Sequence, residues 1–405
     1  MTETTTRPIA DTDLSDTSLY VEDRWHETFS RMRSETPLAW HPNSPYGPYW
    51  SATTHELVKH VESLPDLFSS AKGITIVDQR EEVEFENFIA MDRPRHTEQR
   101  RVVSPSFNPS EMDRREDEIR LRTTQLFDGL PMDEPFDWVE RVSIPLTIGM
   151  ICVLFDFPWE ERHDLKRWSD WASDVTPDQS DERTALWQEQ MMQMMLRFDA
   201  LLQEKRAHPP TDDLMSRIIH SDAMGNMPPA ERMGNIALLI VGGNDTTRNS
   251  MSGLVDALHL YPEQLDRLHD DATLVPNAVS EIVRWQSPVT HMRRTATEDT
   301  ELAGERIMKD EKIVLWYLSA NRDSAVFDEP DRFDVGRENA RRHLGFGYGI
   351  HRCVGARLAE LQLTVYLEEL LRRNVRIEPA GKWQRAPSCF LHGFTSMPVR
   401  MAKRG

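Results

Sequence analysis

The chain has 405 residues, 67 acidic against 48 basic, for a formal net charge of -19. That balance argues against nucleic acid as a partner, and three scattered cysteines exclude a disulfide scaffold and suit a reducing compartment. No signal-peptide pattern opens the chain and no apolar run approaches the ~20 residues of a membrane helix, so a cytoplasmic protein without a membrane anchor is expected.

Residues 1–18 are rich in Thr and Asp and are expected to form a flexible tail. No Gly/Ser-rich or Pro-rich linker divides the rest, so 19–405 is read as one domain with two unequal lobes. A first helix is predicted over Val21–Glu35, stopped by Pro37. Tyr49 to Thr53 reads as a short strand, followed by a helix from His55. Ala71 to Arg80 is apolar, broken by Gly73, and fits no single pattern. The stretch 105–225 is helical in period, interrupted at Pro131, Pro135, Pro158, Pro177 and Pro209-Pro210. Its methionine cluster, Met191-Met192-Gln193-Met194-Met195, reads as a soft core helix.

Pro228-Pro229-Ala230-Glu231 is a helix start, and Pro262 is the next proline. A helix between them spans roughly 45 Å at about 1.5 Å per residue. It carries no charge from Asn235 to Gly243, so its middle is buried. There lies Gly242-Gly243-Asn244-Asp245-Thr246-Thr247. Two interior glycines cost about 1 kcal/mol each relative to alanine. Close helix packing is one reason to keep them. The other is spacing: the Thr246 hydroxyl can bond the Gly242 carbonyl four residues earlier. The ladder would then open into a groove of hydroxyl, carbonyl and the Asp245 carboxylate.

Beyond Thr300 the period shortens. Strands are predicted at Glu301–Gly304 and Lys312–Tyr317, with a β-rich piece from Val375 to Arg400. The turn Met308–Lys312 carries Asp310, and aspartate tolerates left-handed backbone better than most residues. The fold class is therefore mainly α with a small β portion.

Cys353 ends a glycine-spaced loop, Phe346-Gly347-Tyr348-Gly349-Ile350-His351-Arg352-Cys353-Val354-Gly355, and precedes a helix pattern over Val354–Arg373. Unpaired N–H groups and the helix macrodipole favour a thiolate there. A buried structural cysteine, a nucleophile with His351 as base, and a haem thiolate are the three readings. Gly347 and Gly349 permit turns at positive φ, and Gly355 leaves room for a flat macrocycle. They favour the third.

Phe346, Gly349, Cys353 and Gly355 in this spacing resemble the haem-ligand loop of the cytochrome P450 monooxygenases. The resemblance implies that fold, a helix-rich and a β-rich lobe around buried haem b, with Cys353 as axial thiolate donating electrons to iron. Backbone N–H groups after Cys353 would tune the sulfur. Gly242 to Thr246 is similar to the family's oxygen-groove motif, which implies that Thr246 holds a proton chain and Asp245 refills it. Glu281 and Arg284 match a buried Glu-x-x-Arg pair, and Pro330-Asp331-Arg332-Phe333 implies Arg332 as its third member. His96, Arg100, Arg294 and His351 match the partners of the haem propionates. Phe346, Gly347 and Gly355 complete the cofactor-binding set. Ile74, Ile76, Leu238, Leu239, Gly242, Val289, Thr290, Met292, Phe390 and Leu391 are nominated as substrate contacts, with core packing as the competing account.

The resemblance implies insertion of one oxygen atom from O2 into an unactivated C–H bond of an apolar small molecule. It is strongest to the bacterial terminal alkane and fatty-acid hydroxylases. Terpenoid or steroid hydroxylation is the alternative, and a haem sensor or carrier is the reading from another class. A sensor does not need Asp245 and Thr246, and peroxide-driven relatives replace that pair. Electrons would come from a ferredoxin-type iron–sulfur protein and its reductase, with the enzyme a monomer. Basic pairs at Arg100-Arg101, Arg114-Arg115, Arg341-Arg342 and Arg372-Arg373, with Arg352, suggest where that acidic partner docks.

Overall fold

Pro228 and Pro262 bracket the longest helix. In the computed structural model, which describes residues 9–78, 86–174 and 180–404, it runs unbroken over Pro229–Leu260. Its N-terminal half buries Met233, Ile236, Leu239 and Ile240 against Ile148, Phe155, Phe198 and their neighbours. Its C-terminal half buries Met251, Leu254 and Val255 in a second core with Ile282, Val283, Tyr366 and Leu367. Gly242 to Thr247 belong to neither cluster. The two hydrophobic cores hold this helix at both ends and leave its middle for chemistry.

Six helices position the site. They are α1 (His55–Ser63), α2 (Arg95–Val103), α3 (Arg162–Ala172), α4 (Pro229–Leu260), α5 (Val275–Gln286) and α6 (Ala356–Arg373). Thr54 caps α1, its side chain accepting from Leu57 N–H. Asn374, in the left-handed conformation, ends α6. In the methionine cluster Met191 and Met194 are buried and Met192 is half exposed, as an amphipathic core helix requires.

A five-stranded sheet supplies the second lobe: β1 (Leu38–His41), β2 (Tyr49–Ala52), β3 (Phe68–Ser69), β4 (Met292–Ala296) and β5 (Lys312–Leu315). Its spatial order is β1-β2-β5-β4-β3, with β2 and β5 parallel and the other pairs antiparallel. Arg294 pairs with Ile313 in that register, which fixes where its side chain starts. Asp310 takes φ +72 in the turn before β5, as its position predicts.

Residues 9–18 differ from the flexible tail expected of them. Leu14 is fully buried, and the Tyr20 hydroxyl donates to its carbonyl at 2.8 Å. Leu14, with Ile9 packed against the same core, docks the segment. Residues 1–8, Gln79, Arg80 and the break at Pro177 lie outside the described residues. No helix among the described residues is long and apolar enough to cross a membrane.

Candidate active site

The cysteine loop is shaped by its glycines. Gly347 and Gly349 take φ +67 and +68, where an L side chain is strained. A Cβ on Gly349 would also stand 2.4 Å from the Glu62 carbonyl oxygen. The loop closes on itself, with Cys353 N–H donating to the Phe346 carbonyl at 2.8 Å. Cys353 is exposed, and the space it faces is a cavity of about 350 Å³. Dense surroundings push the thiol pKa up, while the Gly355 N–H and the charges of Arg100 and Arg352 pull it down. Burial outweighs the helix-terminus effect expected from the sequence.

Across the cavity stands the middle of α4. The Thr246 hydroxyl donates to the Gly242 carbonyl at 2.9 Å, the bond the spacing predicts. The helix nevertheless continues as α-helix through these residues, so the expected opening of its ladder is not present. The two glycines divide the two explanations between them. A Cβ on Gly243 would touch Ile151 at 3.4 Å, a packing constraint. A Cβ on Gly242 would meet nothing within 4 Å and would project into the cavity space that Gly242 lines.

Thr246 lines the cavity and Asp245 does not. Asp245 is fully buried, accepting from Ser169 of α3 at 3.1 Å and from Asn244 at 2.9 Å. Arg248, one turn on, pairs with it at 2.8 Å and reaches the half-exposed Asp170 at 3.4 Å. Burial raises the Asp245 pKa against the pull of Arg248. The carboxylate thus sits between the cavity hydroxyl and an ion pair that leads outward, rather than in the groove itself.

Around the sulfur side, Arg100, Arg294 and His351 line the cavity, with Phe346, Gly347 and Gly355. His96 stands behind, its ring 4.3 Å from that of His351. Both ring nitrogens of His96 and Nδ1 of His351 are buried without a partner. Burial, then the neighbouring charges, lowers His96 to about 4 and His351 to about 2, so both are neutral donors. Arg294 donates to its neighbour's carbonyl at 2.7 Å and to Glu62 at 3.1 Å. Glu62, on α1, also accepts from Tyr317 at 2.6 Å. Its sequence gives no sign of this role beyond Val58 and Val61, which bury that side of α1.

These residues fit haem. Cys353 offers one soft donor, and no group of three or more His, Cys, Asp or Glu among the described residues could hold a bare ion. Iron at this sulfur must arrive with its other ligands already in place. Buried cations and unpaired ring nitrogens beside the cavity suit two carboxylates, such as propionates.

The Glu281–Arg284 pair is fully buried, with contacts of 2.7 and 2.8 Å. Its third member is Arg337, whose Nε donates to Glu281 at 3.0 Å. Arg332 is corrected. Its side chain is 48% exposed, with acids no nearer than 3.6 Å. Phe333 is fully buried, which turns its neighbour outward; only the Arg332 carbonyl joins, accepting from Arg284 and Arg337.

Of the nominated substrate contacts, Ile74, Leu238, Leu239, Gly242, Val289, Met292, Phe390 and Leu391 line the cavity. Ile76 and Thr290 do not. Ile76 packs into a separate core with Trp316 and Tyr20. The Thr290 hydroxyl donates to the Cys389 carbonyl. In each case an adjacent residue, Thr75 or Val289, lines the cavity instead.

Residues 134–383 match the family described as Cytochrome P450. Linalool 8-monooxygenase of Pseudomonas putida is 37% identical over 96% of this chain and 98% of its own length. Methyl-branched lipid omega-hydroxylase of Mycobacterium tuberculosis is 34% identical over 97% and 95%. Two solved structures are each 50% identical. One is cytochrome P450-153 from Novosphingobium aromaticivorans, with TM-score 0.92 over 97% of this chain and 99% of that one. The other is CYP153D17 from Sphingomonas sp. PAMC 26605, with TM-score 0.93 over 96% and 99%.

Proposed function

The chain belongs to the cytochrome P450 family and is a monooxygenase, and on that footing we propose that it hydroxylates the terminal carbon of a medium-chain alkane or fatty acid, with Cys353 as haem thiolate. The observation that carries this is the cavity, walled by Ile74, Leu238, Val289, Met292 and Phe390 and ending at Cys353 on one side and Thr246 on the other. The methyl-branched lipid omega-hydroxylase relative supports the terminal position. The linalool relative favours a terpenoid as the second reading.

Haem, when bound, supplies dioxygen activation, helped by electron donation from the thiolate. The chain supplies the rest. Arg100 and Arg294 neutralise the propionates, and His96 and His351 donate hydrogen bonds to them. Leu238 and Phe390 exclude water and hold an alkyl chain. Gly242 leaves room for the reacting carbon. Thr246, its hydroxyl proton engaged by the Gly242 carbonyl, keeps oxygen lone pairs free to receive and relay a proton. Asp245 restores that proton from the side of Arg248 and Asp170.

Electrons enter from an acidic ferredoxin-type partner. Basic residues on one face support a docking surface for it. Arg114 and Arg115 are engaged by Glu111, and Arg372 and Arg373 by Glu369. Lys59, Arg341, Arg342 and Arg352 make no salt bridge among the described residues, and they ring one hollow on the outer side of the cysteine loop. Reconstitution with a [2Fe–2S] ferredoxin and its reductase, over a panel of octane, dodecanoic acid and linalool, tests both parts. Terminal alcohol from octane or dodecanoic acid is expected, at a rate that falls with added salt. Arg342→Glu should slow that rate by roughly tenfold with substrate binding unchanged. Oxidation of linalool alone would remove the alkane reading. Rates indifferent to both salt and Arg342→Glu would remove the electrostatic docking.

A further inference from the structure

We infer that His291, which does not touch the cavity, is a positioning residue that fixes the spacing of three cavity walls and thereby the carbon presented for hydroxylation. This rests on the cavity being the substrate site.

The three walls come from chain segments far apart in sequence: Ile74, then Val289 with Met292, then Phe390 with Leu391. His291 lies between the second pair and is fully buried. Its Nε2 accepts the Ile76 N–H at 3.1 Å. That bond puts the ring proton on Nδ1, which donates between the Thr290 hydroxyl oxygen at 2.9 Å and the Cys389 carbonyl at 3.1 Å. One imidazole therefore ties the first segment to the second through one nitrogen and the third to the second through the other.

The surroundings make the ring a fixed spacer. It packs against Trp316 at 4.8 Å and edge-on to Phe390 at 5.5 Å between ring centres. Adjacent backbone bonds follow the same pairing: Arg293 N–H to the Ile74 carbonyl at 2.8 Å, and Thr290 N–H to the Phe390 carbonyl at 2.9 Å. The Thr290 hydroxyl shares the Cys389 carbonyl with the ring. A shift of either tie moves Ile74 or Phe390 relative to Met292, and a flexible alkyl chain follows its walls.

The test uses the haem-loaded full chain, with imidazole and an octyl-substituted imidazole as probes read by the Soret shift. His291→Phe keeps the aromatic packing and loses both ties. It should bind imidazole as wild type does, bind the octyl probe about tenfold more weakly, and spread octane oxidation over more carbons. His291→Gln, with a donor and an acceptor, should recover part of both. Thr290→Val, which removes only the shared hydroxyl, should move both readouts in the same direction by less, and it decides the matter should His291→Phe fail to load haem. Equal weakening of both probes would mean general loosening and would overturn the inference. Unchanged octyl affinity in the variants that load haem would also overturn it. If wild type leaves octane untouched, the substrate reading fails, while the two imidazoles still report on the walls.

Discussion

Arg337→Ala is expected to give protein that retains little haem and unfolds at a much lower denaturant concentration, whereas Arg332→Ala should match wild type in both. Glu281 is fully buried and accepts two bonds from Arg284, one from Arg337 Nε at 3.0 Å and one from Asp334 N–H at 3.0 Å. Arg337 also donates to the carbonyls of Asp328, Glu329 and Arg332. It thus ties the segment leading to the cysteine loop onto α5. Truncating it leaves a buried carboxylate short of one of its two cations and takes a donor from each of three carbonyls. Breaking such a network costs about 3–5 kcal/mol, a large share of the ~5–15 kcal/mol that holds a domain folded. Arg332 is half exposed, and its loss should stay within about 0.5 kcal/mol. Haem content per chain and the denaturation midpoint read both variants. Equal losses in the two would refute the assignment of Arg337.

Thr246→Ala should bind haem and substrate normally and still consume reductant, yet deliver several-fold less alcohol per reducing equivalent, the difference emerging as hydrogen peroxide. The hydroxyl lines the cavity and bonds only the Gly242 carbonyl, so its removal changes little packing. What is lost is the cavity-lining hydroxyl one turn from Gly242. Asp245→Asn should act differently. It keeps the shape but cannot carry a proton, and the total turnover rate should fall on the order of 10²-fold. Arg248 would keep Asp170 as a partner at 3.4 Å, which limits the structural damage. Coupling equal to wild type in Thr246→Ala would remove that residue from the proton path.

Punctuation was the most legible part of the chain. Prolines bracketed the long helix, the uncharged run from Asn235 to Gly243 told of its burial, and two glycines foretold the positive φ values of the cysteine loop. These are local backbone effects, and local sequence carries them. Side-chain direction across irregular chain was not legible. Arg332 and Arg337 lie five residues apart, and which one turns inward depends on Phe333 sinking into the core. Ile76 and Thr290 were placed one position from the cavity face for the same reason. Glu62 is a carboxylate on the buried face of α1, and its partners Tyr317 and Arg294 lie more than two hundred residues away. The basic pairs were over-read: Glu111 before Arg114 and Glu369 before Arg372 stand at helical spacing and could have been seen to neutralise them.

The proposed chemistry depends on Cys353 serving as a haem thiolate. The carbon monoxide difference spectrum of the reduced, haem-loaded chain tests it most directly, alongside Cys353→Ser, Cys152→Ser and Cys389→Ser. Cys152 and Cys389 are buried, with pKa values pushed up to about 11 and about 12 by burial, and only Cys353 opens on the cavity. The strongly red-shifted Soret band of a thiolate complex is expected in wild type and in the last two variants, and its loss in Cys353→Ser. A histidine-type band in folded wild-type protein, or a thiolate band that survives Cys353→Ser, would contradict it.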